Sequence, residues 1–189
     1  MYMELDEDVY PVPQPIRQMD WTRIKRKLFT SDQCDALLRI AETQGRFYRS
    51  HGKSIDRDVH IRYLSPHDAP WAYKKIAAAF ASENRWGFVL SAIVEPIRIQ
   101  RYKRGGYTAN HTDYDYRSTD QSKITAIVPL VRRSSWEGGD LFVMGAKVRR
   151  TPDKGDCLLF PSFAWHGVSP VTRGVRIVLS AWVAGPRLI

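Results

Sequence analysis

Between Phe88 and Ala184 the sequence breaks again and again into short runs rich in β-branched and aromatic residues. They are FVLSAIV (88–94), IRIQRY (97–102), ITAIVPLV (124–131), DLFVMG (140–145), DCLLFP (156–161) and RIVLSAWVA (176–184). Glycines, prolines and charged turns separate them, so each reads as a strand. VHIRYL (59–64) reads as another. Two helices precede most of this region. In FTSDQCDALLRIAETQG, Thr30 can cap the helix, Gln33 completes a capping box, and Gly45 follows the end. Cys34, Leu37, Leu38 and Ala41 give this helix one apolar face. A second helix is predicted from about Pro70 to Glu83, with Pro70 in its first turn and Trp71, Ile76, Ala79 and Phe80 among its apolar residues. Two helices followed by many closely spaced strands imply an α+β, mostly β domain. The helices would buttress an antiparallel β-sandwich or small barrel.

At 189 residues, one domain is the default. Residues 1–20 read as an extended N-terminal arm, because Pro11, Pro13 and Pro15 oppose helix. Residues 21–189 then make a single domain, with helical support over 21–86 and a β core over 87–184. No apolar run approaches a membrane span, and the acidic, proline-rich start is not a secretory signal. Cys34 and Cys157 cannot make a disulfide framework; both sit among apolar residues, read as buried free thiols, and suit a cytoplasmic location. The net charge is +9, spread over RIKRK (23–27), RIQRYKR (98–104), VRR (131–133) and KVRRTPDK (147–154). Such a surface is either a solvated face or an attractor of nucleic acid or acidic peptides.

Chemistry concentrates in YTANHTDYDY (107–116). His111 and Asp113 are two apart, so on a strand both side chains point to one face. An imidazole and a carboxylate are two of the three ligands of a facial triad for non-haem Fe(II). The third ligand should be a histidine from a neighbouring strand. His166, just after the apolar DCLLF, fits better than His51, His60 or His67, which lie earlier in polar surroundings. A triad leaves room for O2 and a chelating 2-oxo acid. If that acid is 2-oxoglutarate, its far carboxylate needs a cation. Arg176 lies ten residues after His166 across the turn-rich GVSPVTRG. A planar, permanently charged guanidinium suits the task. Arg173, in the turn, is the competitor.

RYKRGGYTANHTDYD, SWEGGDLFV and KGDCLLFPSFAWHGVSPVTRGVRIVLSAW resemble segments of the Fe(II)- and 2-oxoglutarate-dependent dioxygenases. The likeness is to the prolyl-4-hydroxylase-like branch, including the PKHD-type hydroxylases, and covers roughly residues 95–184. The resemblance implies a double-stranded β-helix, or jelly roll. It implies Fe(II) on His111, Asp113 and His166, and the distal carboxylate of 2-oxoglutarate on Arg176. It also implies Tyr102 as a hydrogen-bond donor to that carboxylate and Trp182 as an aromatic wall of the pocket. Tyr107 matches a second tyrosine of the motif, although it stands four residues before His111 where the family has three. The implied reaction is hydroxylation of a C–H bond on a prolyl or other side chain of a protein or peptide. Succinate and CO2 are the coproducts, and ascorbate is a stimulant in the same pattern. Halogenase relatives lack the carboxylate ligand, so Asp113 favours hydroxylation.

Other readings keep their place beside this one. A nucleic-acid-modifying oxygenase would use the basic charge. A non-catalytic jelly-roll binding module would carry a vestigial metal site. Zinc also accepts His and Asp, but leaves Arg176 unexplained. Gly138 and Gly139 read as backbone geometry. Tyr114, Asp115, Tyr116 and Arg117 follow the ligands and are placed to face a substrate. The segment 46–63 is placed to cover the mouth of the barrel. Neither the substrate nor the oligomeric state is legible.

Overall fold

The computed structural model describes residues 20–51, 55–93, 95–114, 120–148 and 151–187. The expected arm at 1–20 therefore lies almost wholly outside the described residues, as do Asp115, Tyr116 and Arg117. Helix α1 covers Ser31–Thr43, and its N-terminus closes with the capping box expected from the sequence. Thr30 Oγ1 accepts from the Gln33 amide, and Gln33 Oε1 accepts from the Thr30 amide. Helix α2 covers Pro70–Glu83 with proline in its first turn. No helix of the described residues is long and apolar enough to cross a membrane.

The described residues form thirteen strands around these helices. They are β1 (Arg23–Lys25), β2 (Tyr48–His51), β3 (Arg57–Leu64), β4 (Ile97–Tyr102), β5 (Tyr107–His111), β6 (Asp120–Pro129) and β7 (Trp136–Gly138). Then follow β8 (Leu141–Val143), β9 (Ala146–Lys147), β10 (Cys157–Pro161), β11 (His166–Val168), β12 (Val171–Gly174) and β13 (Arg176–Pro186). Eleven form one antiparallel sheet in the order β1-β10-β6-β13-β4-β3-β5-β11-β8-β9, with β2 added beside β3. β12 and β7 make a separate pair. The antiparallel sheet curls into a half-barrel, the mostly β architecture the sequence led us to expect.

Strand alternation divides the residues between two cores. Leu179, Ala181 and Val183 of β13, Ile124, Ala126 and Val128 of β6, and Ile97 and Ile99 of β4 pack against the helices. The intervening residues face the inside of the curl. There Tyr102, Ile127, Leu158, Phe160 and Val178 form the second core. Two large apolar layers on opposite faces of one sheet leave little freedom of register, since a one-residue slip would exchange them.

One expected strand is corrected. FVLSAIV makes no continuous strand; among its described residues only Ile93 forms a bridge, to Val183. The segment crosses the end of β13 through Ser91 N to Ala184 O and Ala184 N to Ala92 O. Its apolar residues Phe88, Leu90 and Ile93 pack against the helix-side core, while Val89 is 69% exposed. The β-propensity is thus spent on packing across a seam instead of on pairing. The segment 46–63 is likewise more than a cover, because 48–51 and 57–63 lie in strands of the main sheet.

Candidate active site

β5 and β11 are neighbouring strands, and their register puts His166 directly opposite His111. Asp113 lies just past β5, anchored by its amide to Ser162 O at 2.9 Å. Two chain segments thereby bring three ligand atoms together, all within 4.8 Å of one another. His111 Nε2 lies 3.3 Å from Asp113 Oδ1, and His166 Nε2 lies 3.3 Å from Asp113 Oδ2. No other cluster of three or more His, Cys, Asp or Glu side chains able to hold a metal occurs among the described residues.

The far side of each imidazole explains why Nε2 is available. His111 Nδ1 lies 2.9 Å from Ala109 O, and His166 Nδ1 lies 2.9 Å from Ala164 O. A carbonyl only accepts, so each Nδ1 carries a proton; each Nε2 shares its proton with Asp113 until a cation displaces it and takes the lone pair. Thr125 Oγ1 donates to Asp113 Oδ2 at 2.8 Å and lies 3.0 Å from Ser162 Oγ. Phe160 packs edge-on to His166 at 4.7 Å. Burial would raise the Asp113 pKa, but the hydrogen bonds and charges of the two imidazoles hold it well below the usual carboxylate range. Burial would lower His111, yet its hydrogen bond and charge contact with Asp113 leave it raised. The electrostatics are those of a site that favours a carboxylate anion beside a positive charge, which an incoming cation can supply.

Arg176 stands apart from this cluster and is 5% exposed. Its partner across β13 and β4 is Tyr102, and its guanidinium lies 5.0 Å from the Tyr102 ring centre. Arg176 Nη1 is buried without a hydrogen-bond partner among the described residues. A buried cation with an unused donor is costly unless an anion joins it. Tyr102 lines the cavity that holds the triad, whereas Arg176 lines the adjacent pocket; Ile127 and Leu141 border both. Gly139 makes room here. Its φ is +58°, and a Cβ would lie 2.9 Å from Val171 Cγ2 and 3.0 Å from Arg176 Cδ. The residues thus fit a metal at one point and a carboxylate at another. The competing arginine, Arg173, is exposed and paired with Glu137 at 2.5 Å.

Tyr107 requires a correction. Its hydroxyl donates to Asp56 Oδ1 at 2.6 Å, and the residue does not line the cavity. The cause is an irregularity in pairing: Val168 faces Thr108 while His166 faces His111, so β5 holds one residue more than β11 over this stretch. Such a bulge changes which side chains share a face. Thr108, three residues before His111, turns inward instead, and its Oγ1 lies 3.1 Å from the Tyr102 hydroxyl. Trp182 does line the cavity, but six residues along β13 from Arg176, about 20 Å at the strand rise. It therefore walls the end remote from Arg176. Sequence reasoning missed Thr108, Thr125, Arg57, Arg98, Gln100 and Ser180, all of which line the cavity. The alternation in IRIQRY was the one available signal, since it marks a polar inward face between apolar outward residues.

Residues 97–184 match the family described as the 2OG-Fe(II) oxygenase superfamily. This stretch is a 2OG-Fe(II) oxygenase domain. The oxygenase domain runs from β4 into β13 and contains all three candidate metal ligands and Arg176. A PKHD-type hydroxylase of Idiomarina loihiensis is 34% identical over 92 residues, covering 48% of this chain and 42% of the relative. The PKHD-type hydroxylase YbiX of Escherichia coli O8 is 25% identical over 183 residues, covering 93% of this chain and 77% of the relative. In fold, the chain is similar to a viral collagen prolyl hydroxylase from Paramecium bursaria Chlorella virus-1, solved as its 2OG complex. The TM-score is 0.70 at 20% identity, covering 88% of this chain and 97% of the other. The chain spans about half the length of several curated relatives it matches.

Proposed function

We propose that the chain is an Fe(II)- and 2-oxoglutarate-dependent hydroxylase. Its substrate is a prolyl or other side chain of a protein or peptide, and succinate and CO2 are its coproducts. One observation carries the reading: a metal-ready triad shares the interior of a jelly roll with a buried arginine that has no ion-paired anion among the described residues. His111, Asp113 and His166 would hold Fe(II) through two imidazole Nε2 atoms and a carboxylate, an arrangement that leaves open positions. Arg176 would hold the distal carboxylate of 2-oxoglutarate, with the Tyr102 hydroxyl close by. Bound together, iron and 2-oxoglutarate would activate O2, the oxidant, which takes two electrons from 2-oxoglutarate as it becomes succinate and CO2 and two from the C–H bond that is hydroxylated.

The chain's own residues prepare that site. The Ala109 and Ala164 carbonyls fix the two imidazoles in one tautomer and orientation. Thr125 holds one carboxylate oxygen of Asp113. Phe160 packs on the His166 ring and so restrains it. Gly139 lets the Arg176 stem pass. The peptide assignment is supported by the names of the relatives, which are PKHD-type hydroxylases, and by the viral neighbour, a collagen prolyl hydroxylase. A stimulatory role for ascorbate rests on the family resemblance, and a cytosolic location on the two free buried thiols.

The deciding experiment is anaerobic titration of the metal-free protein with Fe(II) and 2-oxoglutarate, followed by the visible charge-transfer band of the chelate. The band is expected in the native protein and lost in Asp113→Ala. In Arg176→Ala the 2-oxoglutarate midpoint should rise about tenfold or more, the effect of losing a charge-assisted hydrogen bond. A folded native protein that shows no band overturns the assignment.

A further inference from the structure

The cavity that holds the triad also holds hydrogen-bond donors with nothing to donate to among the described residues. Arg57, Arg98 and Trp182 line it together with the metal triad. Trp182 is 6% exposed, and its Nε1 has no partner. Arg98 Nε is also buried without one. Arg98 is held between aromatic rings, its guanidinium 4.4 Å from Trp182 and 5.5 Å from Tyr63. Its charge is already matched by Glu95. Arg57 differs in just this respect. Its Nε donates to Ser50 Oγ at 3.0 Å, which orients the guanidinium. It makes no ion pair among the described residues, whereas seven other arginines each have a carboxylate partner. Its register partner on β5 is Thr108, so it stands beside the strand that carries His111. Arg176 and Arg57 both border the jelly-roll interior, each without an ion-paired carboxylate among the described residues.

We propose that Arg57 forms a subsite in the triad cavity that binds a carboxylate of the peptide substrate next to the residue to be hydroxylated. This rests on the hydroxylase reading above and adds the substrate's chemistry. A planar fork held by its Nε, with its terminal nitrogens left for a ligand, is suited to bidentate capture of one carboxylate. The surroundings oppose a polyanion. Arg49 is neutralised by Asp58 at 2.8 Å, Arg98 by Glu95, and Asp56 accepts from Tyr107. A phosphate backbone would meet those carboxylates at close range, which disfavours it. An extended peptide finds a better match. β2, which carries Ser50, pairs only with β3 among the described residues, so its outer edge can hydrogen-bond a peptide main chain.

The probes are two synthetic nonapeptide pools centred on proline, N-acetylated and C-terminally amidated. One has Asp and Glu at randomised flanking positions; the other has Asn and Gln there. A third pool, neutral but with a free C-terminus, distinguishes a terminal carboxylate from a side-chain one. Binding to the metal-free protein is read by fluorescence anisotropy, and hydroxylation by the iron-loaded protein is read by mass spectrometry. One carboxylate-bearing pool is expected to bind about tenfold more tightly than the neutral amide pool and to be hydroxylated in preference to it. Arg57→Gln should erase that preference, and Arg57→Lys should restore part of it. Each variant must keep the charge-transfer band with Fe(II) and 2-oxoglutarate. That band tests the hydroxylase reading separately, so its presence beside a failed peptide preference identifies which idea has fallen. Equal treatment of all pools, an unchanged preference in Arg57→Gln, no binding or product from any pool, or turnover of a single-stranded oligonucleotide instead would each overturn the proposal.

Discussion

At the scale of single residues, the site divides into those visible along one strand and those visible only across strands. His111 and Asp113 declare themselves by spacing, and His166 by following an apolar strand. Arg176 declares itself by its distance beyond a turn. Thr125 does not, because its contact with Asp113 depends on how β6 meets the loop after β5. In the sequence it is one hydroxyl inside an apolar run. It nevertheless has a measurable task, since its Oγ1 donates to Asp113 Oδ2 at 2.8 Å. A group that orients a metal ligand typically changes metal affinity by about 10- to 100-fold when lost. Thr125→Val keeps the shape and removes the donor, so the Fe(II) midpoint in the anaerobic titration should rise by about tenfold. Thr125→Ser should stay near the native value. Equal midpoints for Val and native would show that Asp113 needs no such support. Tyr107 shows the opposite error: a motif position is legible, but a bulge decides which neighbour faces inward.

At the scale of elements, local chemistry is most legible where a segment satisfies its own ends. The Thr30–Gln33 box closes α1 with two hydrogen bonds of 3.0 and 3.2 Å, both spanning only three residues of sequence. Thr30→Ala should lower unfolding stability by about 1 kcal/mol in urea denaturation while leaving Fe(II) and 2-oxoglutarate binding unchanged. A loss of binding at equal stability would mean that α1 positions the site more directly than its packing indicates. FVLSAIV misleads for the converse reason. Its residues favour β structure, but pairing is decided by what lies alongside, and here that is the end of β13 and the helix-side core. Gly139 tests the same point in a turn. Its residue type suggests backbone geometry, and the structure adds the neighbour that makes the geometry matter. Gly139→Ala faces both a positive φ and the Arg176 stem. It should weaken 2-oxoglutarate binding more than Fe(II) binding, a difference read from the separate midpoints of the two ligands.

At the scale of the molecule, the helices and the sheet share one core, and the two cysteines report on it. Cys34 comes from α1 and Cys157 from β10, and both are wholly buried in the layer between helices and sheet. Burial pushes the Cys34 thiol up to about 11, and burial raises Cys157 as well. At pH 8 such a thiol is ionised in roughly one molecule in a thousand, and the thiolate is the reactive species. Neither cysteine should react with a chromogenic disulfide reagent at an appreciable rate in the native protein, and both should react at once in concentrated guanidinium. The informative experiment lies between these limits. If helices and sheet open as one unit, Cys34 and Cys157 become reactive at the same denaturant concentration, matching the loss of circular dichroism. If α1 detaches first, Cys34 reacts at lower denaturant than Cys157. The shared core argues for the first outcome, because removing α1 would expose the same apolar face of the sheet that shelters Cys157.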